Sequence, residues 1–524
     1  MSWLAGWVGR LGRPAATGSR FEEDAILMSK GVALGEPLVD HDVVERVIGA
    51  ALRHGGDFAE VFAEDRKGTS AGFDDGRVEE VSTGRDRGAG VRVVVGETTG
   101  YAHTADLSES GLLAAAEAAS TVARGRGGSR VVSLDAGSSP AKLSPGNRAP
   151  GKRAPGGAGE ELSGAPGAGA LVDPSTVPKV RKVELLQIAD EVARSAGGAV
   201  VQVSAGYADT TRRVLVASSE GAFAADTSVR TRFSVSVVAS GDTGMQTGYE
   251  TVARSVGFEL FDAESVEEVA SQAARRALAK LSARPAPSGE LPVVLASGSG
   301  GILFHEACGH GLEADHILKD ASVFAGRLGE QVASPLVTLV DDGTLGGEWG
   351  SFAVDDEGRP AARNVLIENG VLTSYMWDLL RARKDGRSSS GNGRRQSYRH
   401  LPMVRMTNTF LLGGEGDPDD IVASTARGVY VAKLGGGQVN TATGDFVFGT
   451  TEAYLIENGR ITEALRDANL IGNGPEILER VDAVAGDFSM TPGTCGKDGQ
   501  SVPVGCGQPT LRVSAVTIGG TAGE

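Results

Sequence analysis

Glycine occupies 76 of the 524 positions, roughly twice the ~7% share of an average protein, and this excess most constrains the fold. Lacking a Cβ, glycine leaves a segment unfolded, turns a hairpin, or lets backbone approach another group closely. Aromatic residues supply only 5% of the chain. The core therefore rests on Val, Ala, Leu and Ile, and favours tightly packed strands joined by many turns.

The first of these uses is clearest between residues 136 and 170, where 26 of 35 positions are Gly, Pro, Ala or Ser. Only Leu143 and Leu162 offer apolar anchors there, too little to offset the entropy lost on ordering. We read 136–170 as a disordered low-complexity insert in an N-terminal α+β domain spanning 29–284. Residues 1–28 read as an N-terminal extension expected to lack order, with Met28 a second candidate start. Trp3 to Val8 is too short and glycine-broken for a signal-peptide core.

Around the insert the same layout occurs twice. Val43, Val44, Val47, Ile48, Ala51 and Leu52 recur at helical spacing, short strand-like runs follow at 59–63 and 90–95, and a helix spans 107–123. After the insert come a helix over 183–196, strands at 200–205, 213–217 and 229–239, and an amphipathic helix over 266–281 capped by Asp262 or Ser265. Helices on short-stranded sheets are the expected result. Arg284 to Gly289, with two prolines and a glycine, reads as a linker. Residues 290–524 read as a mainly antiparallel β domain, with hairpins turning at Asn369-Gly370 and Asn458-Gly459, and they carry one helix that holds the chemistry. The fold class is α+β.

The balance of 51 basic against 67 acidic side chains, a formal charge of −16, argues against a nucleic-acid partner. No stretch approaches the ~20 apolar residues of a membrane span, so no membrane association is expected. Three cysteines exclude a disulfide scaffold and suit a cytoplasmic protein. Neither a Walker loop nor a strand–GxGxxG–helix unit is present for ATP or NAD.

Chemistry concentrates at His305-Glu306-Ala-Cys308-Gly309-His310, with two histidines, a glutamate and a cysteine inside six positions. Histidine nitrogens bind Zn²⁺, and a neighbouring glutamate can deprotonate water. In a regular α-helix, however, a five-residue step leaves the histidines ~140° apart, against ~40° for the usual four-residue step. Gly309 and Gly311 flank His310 and permit the distortion a shared ligand would need. Otherwise Glu306 caps a helix start and the histidines pack. Cys495, Cys506, His400 and distant carboxylates are the further ligand candidates. Cys495 stands out in a glycine-rich loop where Lys497 could favour a thiolate, while Cys308 and Cys506 read as small packing residues.

The motifs His-Glu-Ala-Cys-Gly-His-Gly-Leu-Glu at 305–313, Ser322-Val-Phe, Gly391-Asn-Gly-Arg-Arg395, Leu401-Pro-Met403, Arg405-Met-Thr-Asn408, Gly435-Gly-Gly-Gln-Val439 and Cys495 through Gly505 together resemble the TldD/PmbA metalloprotease family. The resemblance covers the second half of the chain and, more loosely, the first. It implies a zinc ion on His305, His310 and Cys495, with Glu306 acting on water, as in the family's TldD-like catalytic branch. It also implies a heterodimer with a metal-free TldE/PmbA-like paralogue and cleavage of unfolded or leader peptides. Tyr398, His400 and Arg405 are candidates for stabilising the oxyanion. Two other readings stand beside it: a cysteine hydrolase with Cys495 as nucleophile and His400 as base, and a catalytically silent peptide-binding partner.

Overall fold

Two copies of one plan build the N-terminal half. The first runs α1 (His41–Leu52), β1 (Phe58–Asp74), β2 (Arg77–Val95), β3 (Thr98–Thr104) and α2 (Glu109–Ser120); the second runs α3 (Lys179–Ser195), β4 (Val200–Ser218), β5 (Phe223–Gly241), β6 (Gly244–Arg254) and α4 (Val266–Leu281). The computed structural model describes residues 37–121 and 170–520. The extension at 1–28 and the insert at 136–170, save Ala170, lie outside them.

The six strands form one antiparallel sheet in the order β3-β2-β1-β4-β5-β6. The two meanders thus stand back to back, joined along β1 and β4 from Glu60 opposite Ser218 to Asp74 opposite Ser204. Helices α1 and α2 share one core with the inner residues of β1 and β2, including Val47, Ile48, Val61 and Val91. Helices α3 and α4 share another with β4 and β5, including Leu186, Phe233 and Ala273. Helix α4 has the bounds its periodicity predicts, and its cap is Ser265, whose Oγ accepts the Glu268 N–H at 3.1 Å.

The strands of this sheet are longer than the sequence pattern predicts. β2 has 19 residues, and its outer part, Arg77 to Arg87, is largely exposed. Polar but for Val78 and Val81, it carries no sustained alternation to read. Its backbone is satisfied by an almost unbroken ladder to β1, so it needs no core of its own.

The C-terminal half holds a twelve-stranded sheet. Its main members are β7 (Gly289–Leu295), β8 (Leu339–Asp342), β9 (Arg363–Glu368), β10 (Asn408–Leu411), β11 (Arg427–Val439), β12 (Asp445–Glu457), β13 (Arg460–Arg466), β14 (Asn469–Asn473), β15 (Val481–Lys497) and β16 (Gln500–Gly519). Most pairings are antiparallel, as expected, but β10 runs parallel to β16 and β7 to β11. The expected linker is partly built into this sheet, because Arg284–Pro285 pairs with Leu465–Arg466 of β13. Proline is tolerated at such an edge. Both Asn-Gly turns form with positive φ, 48° and 84° at Asn369 and Gly370, 51° and 70° at Asn458 and Gly459, as hairpins of this kind require.

Buried charge ties the two halves together. Arg92, 1% exposed, donates to Glu60 at 2.6 Å and to Glu357 of the C-terminal half at 2.8 Å. Arg275 and Arg276 of α4 both reach Glu452 of β12, each at 2.7 Å. Among the described residues no helix is long and apolar enough to cross a membrane.

Candidate metal centre

Strand β7 leads into a helical segment that changes pitch twice. Gly301–Phe304 is α-helical, His305–Gly309 is a π-helix, and His310–Leu312 is a 3₁₀ turn. The His310 N–H donates to the His305 carbonyl, five residues back. A turn closed at that interval brings residues five apart to one side. The segment lies directly on β16, where a Cβ on Gly301 would stand 2.6 Å from the Cys506 carbonyl carbon and the Gly507 nitrogen. Glycine is needed for that approach.

The imidazoles of His305 and His310 consequently meet edge to face, centroids 5.2 Å apart. Cys495 arrives from β15, opposite Val502 and close to the hairpin tip at Asp498-Gly499. Its Sγ lies 3.3 Å from His310 Nε2. Donor atoms of His305, His310 and Cys495 all fall within 4.8 Å of one another, and all three residues are buried.

Two observations bear on whether a metal fits. Neither ring nitrogen of His305 has a hydrogen-bond partner, although buried polar atoms are normally satisfied. The surroundings also favour a cation. Burial opposes ionisation of the Cys495 thiol, yet His305 and His310 outweigh it and bring the thiol down to about 4. Burial likewise opposes a charged His310, but Glu313 and Cys495 raise it to about 10. The negative surroundings that favour the charged rings also favour a cation in place of the proton, and a metal ion would displace the proton from the nitrogen it binds. Two nitrogens and a thiolate form a donor set that suits zinc.

Glu306 borders the trio, one carboxylate oxygen 3.6 Å from His310 Nε2 and its side chain 24% exposed. It is the member of the motif that solvent reaches. Behind His310, buried Glu313 accepts from Nδ1 at 2.8 Å, which leaves Nε2 facing the trio and fixes the ring. Lys497 donates to Glu313 and Asp315, each at 2.8 Å, and to the Val404 carbonyl at 3.2 Å. Lys497 is therefore bound to carboxylates and does not serve the Cys495 thiolate as the sequence suggested. The Glu313 pairing was missed there, though its three-residue spacing from His310 was a legible signal.

The remaining candidates fall elsewhere. Arg405 is fully buried and donates to the Cys495 carbonyl at 2.5 Å, so it positions that strand. Tyr398 packs with Phe62, Val214 and Val216 and bonds Asp86 at 3.2 Å. His400 bonds Ser397 at 2.9 Å, and the imidazoles beside Cys495 are those of His305 and His310. Cys308 packs in the main core, where burial pushes its thiol up. Cys506 clusters with Cys495, Val502 and Val504.

A sheet-rich α+β fold that gathers two buried histidines and a cysteine from sequence-distant elements defines a protein with a candidate transition-metal site. Three domain models of one family match in order: PmbA/TldA metallopeptidase domain 1 at residues 59–123, the central domain at 172–281 and the C-terminal domain at 288–520. The chain belongs to the PmbA/TldD metallopeptidase family. It is 40% identical over 481 residues to the metalloprotease TldD homolog of Haemophilus influenzae, covering 89% of this chain and 93% of that protein. It is 32% identical to the zinc metalloprotease TldD homolog of Saccharolobus solfataricus, over 55% of this chain and 64% of the other. The fold resembles that of TldE from Thermococcus kodakarensis, with a TM-score of 0.69 at 21% identity, covering 91% of this chain and 99% of that one.

Proposed function

We propose that the protein is a zinc-dependent metallopeptidase that hydrolyses peptide bonds in unfolded or leader peptides. It would act in the cytoplasm as the catalytic subunit of a heterodimer with a TldE/PmbA-like paralogue. The observation that carries this reading is the buried set of His305, His310 and Cys495 donor atoms within 4.8 Å. The zinc metalloprotease name of the Saccharolobus relative supports the choice of metal. The likeness to TldE and the family resemblance support the partner.

His305 Nε2 or Nδ1, His310 Nε2 and Cys495 Sγ would hold the ion. When bound, zinc supplies Lewis-acid polarisation of the scissile carbonyl and acidifies water. Glu313 keeps the His310 proton on Nδ1, so Nε2 stays free to ligate. Glu306 takes the proton of the attacking water on its carboxylate and returns it to the leaving amine nitrogen. Arg405 holds the Cys495 carbonyl and so positions the stretch of backbone that carries the sulfur. An extended peptide can join a sheet edge through main-chain hydrogen bonds, which suits unfolded substrates of varied sequence.

Metal analysis and cleavage of an unstructured peptide test the reading, with the candidate paralogue co-expressed. The expected results are about one zinc per chain, loss of zinc in His305→Ala and Cys495→Ser, and full zinc without cleavage in Glu306→Ala. A metal-free active protein would falsify the proposal, as would undiminished cleavage by Glu306→Ala.

A further inference from the structure

A cavity of about 220 Å³ opens where the N-terminal sheet meets the C-terminal half. Its walls include Arg230 of β5, Trp349, Phe352, Arg394, and Thr494 and Val502 of the hairpin that carries Cys495. Five arginines face it. Arg66 and Arg212 are paired with Glu64, Arg212 also with Asp356, and Arg395 with Glu60. Arg230 and Arg394 are different.

Arg394 is 4% exposed, yet its guanidinium donates only to the carbonyls of Met406, at 2.5 Å, and Pro503, at 2.8 Å. Arg230 donates to the Trp349 and Ser351 carbonyls, both at 3.1 Å, and to Ser228 Oγ at 3.2 Å. Among the described residues, neither has a carboxylate within ion-pair distance. Asp226, the acidic wall residue nearest in charge to Arg230, receives the Ala353 N–H at 3.0 Å. Buried charges are ordinarily paired, and two guanidiniums on one cavity repel each other. Burial and then Arg394 and Arg212 bring Arg230 down to about 9, against Asp226, and burial brings Arg394 down to about 10, against the opposing charge of Asp356. Both still carry their charge at neutral pH. Arg394 also lies over the Phe352 ring at 5.3 Å, so its planar fork is held in place before any ligand arrives.

We propose that this cavity is a carboxylate-binding subsite, in which Arg230 and Arg394 take a carboxylate of a peptide, at its C-terminus or on an acidic side chain. Guanidinium matches carboxylate with parallel, charge-assisted hydrogen bonds. The proposal rests on the reading of the protein as a peptidase, because the cavity shares Thr494 and Val502 with the strands that position Cys495. It extends that reading by naming a chemical feature of the substrate.

The test is calorimetric titration of the full-length Glu306→Gln protein, in which binding is read without turnover. The probes are N-acetyl-tetraalanine as the free acid, the same peptide as its C-terminal amide, and an amide with one alanine replaced by glutamate. Binding of the free acid at least about tenfold tighter than the amide is expected, with that preference lost in Arg230→Gln and in Arg394→Gln. Arg230→Gln, the less buried site, keeps the test open if Arg394→Gln fails to fold. Preference for the glutamate amide instead assigns the subsite to acidic side chains and equally supports it. Equal binding of all three peptides, or a carboxylate preference that survives Arg230→Gln in folded protein, overturns it. A protein that shows the preference but never cleaves peptide refutes the peptidase reading and leaves the subsite standing.

Discussion

His310 Nδ1 and Glu313 are joined by a 2.8 Å hydrogen bond within the same short turn, and Lys497 reaches the same carboxylate from the hairpin that carries Cys495. One carboxylate thus aligns a ring from one element with a strand from another. Glu313→Gln keeps the shape but loses the charge. We expect zinc affinity to fall by about 10–100-fold, measured by chelator competition, with the thermal midpoint of the metal-free protein changed far less.

The π turn depends on the absence of a side chain at position 309. A Cβ there would run into the Met406 sulfur, which is buried. Gly309→Ala is expected to lower both bound zinc and thermal midpoint, and Gly309→Ala with Met406→Ala to recover most of the zinc. Metal content of the single and double variants checks this, and no recovery would place the fault in the backbone of the turn.

Arg92 lies between Glu60 and Glu357. Arg92→Met removes the cation shared by two buried carboxylates; Glu60 keeps its pairing with Arg395, whereas Glu357 loses its ion pair. Breaking such a pair costs about 3–5 kcal/mol, readable in chemical denaturation. Restoration by Arg92→Met with Glu357→Gln would show that the uncompensated charge, and not lost packing, carries the cost.

Acid should loosen the contact of α4 with β12. Burial works against the charge on Glu452, but hydrogen bonds from Arg275, Tyr454 and Arg276 win and hold it down to about 2. Its folded value is depressed below the ordinary ~4.3 of glutamate. The stabilisation is therefore complete above that ordinary value and is lost as pH falls through the folded one. Glu452→Gln should unfold more readily at neutral pH and show a flatter fall in stability between about pH 5 and 2, followed by circular dichroism.

Sequence patterns revealed elements whose side chains alternate between core and water. Helix α4 and the two Asn-Gly hairpins are of that kind, because periodicity and turn chemistry both act locally. The outer part of β2 is not, since Arg77 to Arg87 are held by the ladder to β1 and bury little. At the site, the residue types and the glycines beside His310 pointed to a distorted helix, but spacing alone could not specify a π turn. That depends on Gly301 lying on β16 and on Met406 beside Gly309, contacts made by residues far away in the chain. Lys497 shows the same limit: its charge was legible, and its partners, Glu313 and Asp315, were set by the hairpin's approach.

The separation of His305 from Cys495 along the chain, 495 minus 305 or 190 residues, gives the trio a mechanical consequence. Any ion shared by these side chains acts as a clasp, fastening the tip of the last hairpin to the turn that begins the C-terminal half. The ion would be held only while turn and hairpin are together, so its binding free energy opposes their separation and loading the clasp should slow the hairpin's peeling away. Attachment of the hairpin and loading of the site would then be set by the same contact.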